Sequence, residues 1–412
     1  MTVVTLDLLL QSTVAGGPSC LTSMTELRPA VGWHASVAPA KFAGPRGERE
    51  GVYAYERRFL DAAAAQAVII DSKQSQLNRA EEALQQAIDD GHPVLARLPH
   101  VVVTYQRDGV EERYTDLMLP HRIYDGHIRA GFVGGEPATA SERYRAVRNA
   151  TPANARALLE TSPVTLIFGG WDSSRRTRQG RWRSALVGEI VGFCADPEAG
   201  PDRKVMRGGA RVDPIAMQVL CKPKAIIEMA DAQRDELSTG NYNDIKRAAE
   251  KGPSDKVTKE KRPESKLGLG GIPPTLAQLA GVACNRIIRS HVLSFATLRQ
   301  MRFGAGPEGD AACRALLAAL ALNGLARSDA ELRLRANCDL LEASAPALVM
   351  DRRDGQSDSL GRLTIAAADA LLADALQHAE SAAGVQWNGV ALQVTGNQDV
   401  IAGAVDEEET LA

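Results

Sequence analysis

The chain has 412 residues, 44 % apolar and 24 % charged, with a formal net charge of −3. This length suffices for a large buried core, and the composition is that of a globular chain and excludes disorder. The slightly acidic total excludes a polycation, so a nucleic-acid site has to come from local clustering of charge.

In chain order, residues 3–10 (VVTLDLLL) read as a strand, broken by small residues around Gly16, Gly17 and Pro18. The N-terminus lacks the basic start and long apolar run of a signal peptide. Residues 28–51, rich in Pro, Gly and Ala and without a period, read as an irregular excursion. A short buried strand at 67–70 runs into DSKQSQLNRAEEALQQAIDDG, where Leu77, Leu84 and Ile88 define a helical apolar face. Gly91 is its C-terminal stop. Residues 101–105 and 112–116 flank RDGV, a hairpin with Asp108 and Gly109 at the turn.

Residues 164–168 read as a further strand, then Gly169 and Gly170, an arginine-rich loop, and a helix from about Arg181 on which Trp182, Leu186 and Ile190 recur. Residues 241–271, charged and punctuated by Pro and Gly, read as a mobile loop. Residues 276–302 and 311–326 read as helices, the second apolar nearly all round and so buried. The acidic end, DEEETLA, reads as a solvated tail. The longest apolar run, 315–322, is well short of the roughly 18 residues that cross a bilayer. Six scattered cysteines show no zinc-ligand spacing and read as small core residues of a soluble, cytoplasmic protein. Neither a metal nor a cofactor is expected.

The most charged stretch is FGGWDSSRRTRQGRWRSA, residues 168–185, which carries Arg175, Arg176, Arg178, Arg181 and Arg183 with Trp171 and Trp182. Guanidinium groups pair bidentately with phosphate oxygens and stay protonated, and a tryptophan can stack a base. The pattern is not GxxxxGK[ST], which disfavours a nucleotide-binding P-loop. The alternative is a solvated arginine loop with both tryptophans in the core.

DSKQSQLNRAE is a second candidate. Gln74, Ser75 and Asn78 offer neutral hydrogen bonds at a helix start, and Lys73 and Arg79 add charge; the alternative is a Ser72 cap followed by ordinary helix surface. In LPHRIYDGHIRAG, residues His121, Asp125 and His127 lack the helical histidine spacing of a metal site, and Arg122 reads as a phosphate contact or a core bridge. GGARVDPIAM, 208–217, brings Arg211 and Asp213 together in a loop. No Ser/His/Asp or Cys/His set is visible, so the sequence offers binding chemistry and the expectation is a protein that is not an enzyme.

These blocks, with GLGGIPPT, LSFATLRQMRF and LRLRANCDLLEA, follow one another from about residue 67 to 342. In that order they resemble the backbone subunit of the type I-G (formerly I-U) CRISPR surveillance complex, Cascade, in the RAMP superfamily. The first block also resembles the SSQ-x-L-K-R element of other CRISPR backbone subunits, with Leu77 and Arg79 matching and Asn78 in place of lysine. The resemblance implies an α+β fold: a single subunit over 1–412 with an RRM-like (ferredoxin-like) βαββαβ core, long insertions and a helical C-terminal part. It implies a β-hairpin thumb, for which 95–135 is the candidate.

It further implies a non-catalytic subunit that stacks head to tail along CRISPR RNA and presents bases to a target DNA strand. Other partners so implied are a fused guide-processing subunit, a large subunit and a recruited helicase-nuclease, with no membrane. The RNA-binding set is Lys73, Gln74, Ser75, Asn78, Arg79, Arg122, Trp171, Arg175, Arg176, Arg178, Arg181, Arg183 and Arg211. Two other readings stand beside it: a RAMP-type ribonuclease using Asp172 or Asp213, and a general single-strand binding protein.

Overall fold

The computed structural model describes residues 3–42, 52–107, 109–173, 175–176, 180–200, 221–250, 264–269 and 281–400. The chain divides into two compact units, Met1–Arg203 with Gly281–Gly396, and Lys204–Ala280 with Asn397–Ala412.

The first unit is built on strand β1 (Cys20–Pro29), helix α2 (Lys73–Asp89), strands β12 (Leu186–Cys194) and β13 (Cys284–Ser294), helix α10 (Gly306–Ala330) and strand β15 (Ala347–Asp351). The strands lie in the order β15-β1-β13-β12, all antiparallel. Numbering them by sequence within the core gives 4-1-3-2, with a helix after the first and third. That is the βαββαβ arrangement of an RRM-like fold, the architecture expected from the sequence. A hairpin of β4 (Tyr55–Leu60) and β5 (Ala63–Asp71) extends the sheet beyond β12, and β16 (Ser357–Leu360) extends it beyond β15.

Alternation explains which face is buried. In β1, Leu21, Ser23, Thr25 and Leu27 point inward, and in β13 Ile287, Arg289, His291 and Leu293 do so. The polar members are managed individually. Arg289 is 1 % exposed and lies 3.3 Å from Asp329 and 3.4 Å from Glu342. Burial pushes the Asp329 carboxyl up to about 6 while Arg289 pulls it down. Burial, and then Arg289, push His291 down to about 3, so it is a neutral core residue. It fits because Gly188 stands opposite: a Cβ there would fall 1.9 Å from His291 Cδ2.

Helix α10 is buried over nearly its whole length, as its all-round apolar sequence predicts, and packs on α1 (Leu6–Thr13), α2 and α11 (Ile365–Ala383). Among the described residues it is the one helix long and apolar enough to cross a membrane, and that window lies wholly inside the fold. The second sheet has the order β7-β6-β17-β8-β9, built from β6 (His100–Arg107), β7 (Val110–Thr115), β8 (Phe132–Val133), β9 (Glu136–Pro137) and β17 (Val390–Thr395). The RDGV hairpin exists, with Gly109 at φ +79°, but β6 is tied along its other edge to β17. Its lower half, through Thr104, is therefore built into that sheet. The second unit contains α7 (Pro223–Ala232) and α8 (Thr239–Glu250), joined through buried Ile226, Ala230 and Ile245.

Several sequence expectations are corrected. Residues 6–13 form helix α1, capped by the Thr5 hydroxyl, which accepts from Leu8 N–H at 3.2 Å. The segment 164–168 lies in helix α6 (Pro163–Phe168), started by Pro163 and stopped by Gly169 at φ +88°. The helix expected from Arg181 is strand: β11 (Arg181–Trp182), then β12. Half of the described part of the helix expected over 276–302 is strand β13, with only a short helix at Phe295–Leu298, and helix α8 occupies the start of the loop expected at 241–271. The acidic end beyond residue 400 lies outside the described residues.

Candidate nucleic-acid interface

Strands β10 (Gly170–Trp171) and β11 form a two-stranded ribbon in which Gly170 pairs with Trp182 and Trp171 with Arg181. Its base needs glycine. A Cβ on Gly169 would lie 2.8 Å from Ser184 Oγ and from the Trp182 carbonyl, and one on Gly170 about 3.0 Å from Thr165. The Trp182 side chain is buried and its indole N–H donates to Tyr124 Oη at 2.8 Å.

Behind the ribbon sits Asp172, with no exposed surface. Arg148 donates to its Oδ2 at 2.8 Å, and Arg129 stands 3.5 Å from its Oδ1. Arg175 donates to the Arg148 carbonyl at 2.6 Å and to Asn149 Oδ1 at 2.9 Å. The loop is thus fastened to helix α4 (Glu142–Arg148). A general acid or metal ligand needs an accessible carboxylate, so Asp172 fits the ribonuclease reading poorly.

The outer face differs. Strand alternation turns Arg181 and Arg183 outward while Trp182 turns in, and Arg176, in the loop that joins the two strands, is exposed. Trp171 is 54 % exposed, with the Arg181 guanidinium 4.7 Å from its ring centroid, a cation–π pair. This face offers guanidinium groups and an aromatic surface, the two elements that grip single strands without reading sequence.

The α2 block divides in the same way. Ser72 caps the helix by accepting from Ser75 N–H, and Lys73, Gln74 and Asn78 are exposed. Ser75 and Arg79 turn to Asp71, which is fully buried and also accepts from Gln76 at 2.6 Å and Arg335 at 2.8 Å. Burial pushes the Asp71 carboxyl up, but the hydrogen bonds from Arg79, Gln76 and Ser75 outweigh it and hold its pKa below 3.8. Arg79 also donates to the Arg333 carbonyl. Its role is to tie LRLRANCDLLEA to the start of α2, not to reach out.

Arg122 is a core bridge. It pairs bidentately with buried Glu81 (Nη2 to Oε2, 2.6 Å), donates to the Gly169 carbonyl at 3.1 Å and lies over Phe168. Burial pushes the Glu81 carboxyl up to about 7, and Arg122 pulls it back down. This arginine links α2 to the base of the ribbon, so two blocks far apart in sequence belong to one construction. Asp125 caps a short helix turn by accepting from His127 N–H, and His127 Nδ1 hydrogen-bonds Tyr105 Oη at 2.7 Å. Arg178, Arg211 and Asp213 lie outside the described residues. Among the described residues, no group of three or more His, Cys, Asp or Glu side chains is placed to hold a metal ion.

Sequence reasoning missed Arg129, Arg148 and Arg335, the arginines that hold the site's carboxylates. The only signal was an excess of arginine near lone buried-type aspartates. Together, fold and site define an RRM-like α+β protein whose core carries a basic, aromatic-bearing ribbon. Residues 21–197, a stretch that includes α2 and the ribbon, match the family model described as CRISPR-associated protein GSU0053. No curated protein matches the chain.

Proposed function

We propose that this chain is the guide-RNA-binding backbone subunit of a type I-G CRISPR surveillance complex. It binds CRISPR RNA by its backbone, stacks head to tail with further copies, and leaves bases available to a target DNA strand, without cutting RNA. The fused guide-processing subunit, the large subunit and the helicase-nuclease are its partners in that assembly. The observation that carries this reading is the locked ribbon whose outer face presents Trp171, Arg181 and Arg183, with Arg176 exposed in its loop. Lys73, Gln74 and Asn78 supply a second exposed set at the start of α2.

The test replaces Arg176, Arg181 and Arg183 together by alanine. All three are exposed, so the variant keeps its circular dichroism spectrum and melting temperature. Affinity for single-stranded RNA falls, and the slope of log K against log salt flattens by about 2, at roughly 0.7 per phosphate contact on a single strand. An unchanged affinity and salt slope would reject the ribbon as the RNA site.

A further inference from the structure

Two cavities adjoin on the helix side of the main sheet. The first, about 450 Å³, lies between β1, β15, the end of α10 and the start of α11. Leu322, Leu325, Leu348, Leu363 and Ile365 give it apolar walls. The second, about 520 Å³, is bounded by Arg289 of β13, by Leu332 and Leu334, and by β14 (Leu340–Glu342). Asp329, Ala330 and Arg362 line both, so the two spaces meet at the C-terminal end of α10. Each has the size of a small-molecule site, and neither shares a residue with the RNA-contact set.

The junction carries two arginines and two carboxylates. Arg289 lies 3.3 Å from Asp329 and 3.4 Å from Glu342, and Arg362 lies 3.2 Å from Glu342. Burial pushes the Asp329 carboxyl up to about 6, so at about pH 8 it is ionised and the formal charges of the four groups cancel. The other charged lining residues, Glu331, Arg333 and Asp339, are exposed to water. A charged ligand head would find no opposite charge left over at the junction and would lose its hydration without compensation. Hydrogen-bonding capacity, in contrast, is left over. Arg289 is 1 % exposed, and its Nε and Nη1 have no hydrogen-bond partner. Unpaired buried donors are costly, so a neutral acceptor that reaches this guanidinium is favoured.

We propose that the paired cavities bind an uncharged amphipathic small molecule whose head is a carboxamide or lactam. Its apolar body fills the leucine-lined space. The carbonyl oxygen accepts from Arg289 or Arg362, and the amide N–H donates to Asp329. The internal ion pairs select a neutral head, the unpaired N–H groups of Arg289 select an acceptor, and the leucines select an apolar body.

Octanamide, octanoate and octylammonium share one aliphatic chain and differ in head charge, which makes them the probes. Each is titrated calorimetrically into the full-length protein, free of RNA, at about pH 8. Octanamide binds saturably with a Kd of about 1 mM or tighter, the range open to a ligand of about ten non-hydrogen atoms. The two charged probes bind at least about tenfold more weakly. Two variants at exposed positions block the site: Ala366→Trp fills the apolar cavity, and Ala330→Phe obstructs the wall common to both. Each keeps the melting temperature of the unliganded protein and lowers octanamide affinity at least about tenfold. The absence of saturable octanamide binding up to about 5 mM, equal binding of all three heads, or full affinity in both variants would overturn the site. Replacing Arg176, Arg181 and Arg183 by alanine leaves octanamide binding at its wild-type level, so this result and the RNA result are read separately.

Discussion

Asp172→Asn tests what the ribbon stands on. The side chain is wholly buried, Arg148 is 16 % exposed and Arg129 30 % exposed, so two guanidinium groups face one carboxylate out of water. Removing one partner from a buried pair costs about 3–5 kcal/mol. Arg148 and Arg129 keep some access to solvent, and Arg148 also lies near the Tyr144 ring, so the expected cost is about 2–3 kcal/mol. With a urea slope of about 3 kcal/mol per molar, the midpoint falls by roughly 1 M. Arg148→Gln has a similar cost, and the double variant costs little more than either, a coupling of about 2 kcal/mol. RNA affinity falls in parallel in all three, because the ribbon loses its footing. An Asp172→Asn protein with an unchanged urea midpoint would refute the structural role and return Asp172 to the list of candidate acids.

Two other substitutions probe the frame. Because the folded pKa of Asp71 is depressed, its stabilisation is present above 3.8 and is lost as pH falls through the folded value. Asp71→Asn is therefore strongly destabilised at about pH 7, and its gap from wild type narrows by about pH 3; a gap constant across that range would contradict the assignment. Gly188→Ala places a methyl 1.9 Å from the His291 ring and destabilises by at least about 1–3 kcal/mol, and a second change, His291→Ala, recovers part of that loss in thermal melts.

Where the sequence spoke through local chemistry, it was readable. Helix α2 begins at a serine cap and stops before Gly91, β5 contains the β-branched run Val68, Ile69 and Ile70, and the RDGV hairpin carries its own turn signal. Where tertiary contacts decide, it misled. Trp182, Leu186 and Ile190 are four apart, which suits one helix face but also one strand face, since four is a multiple of two. The inward face of β13 contains Arg289 and His291, so its alternation does not look apolar. The site was legible as a list of arginines but not as a division of labour. Arg122 and Arg183 look alike in sequence; Glu81, 41 residues before Arg122, is what sets them apart.

The position of β17 bears on how the chain reaches its fold during synthesis. This strand, residues Val390–Thr395, is the middle one of its sheet, lying between β6 and β8, which are formed almost 300 and more than 250 residues earlier. Strands β6 and β7 can zip into a hairpin as they leave the ribosome, but the parallel neighbour that covers the edge of β6 is made almost 300 residues later. Until then that edge stays open to pairing with other chains, a hazard for an uncovered strand. A nascent chain stopped short of residue 390 is therefore a protein missing the keystone of its second sheet.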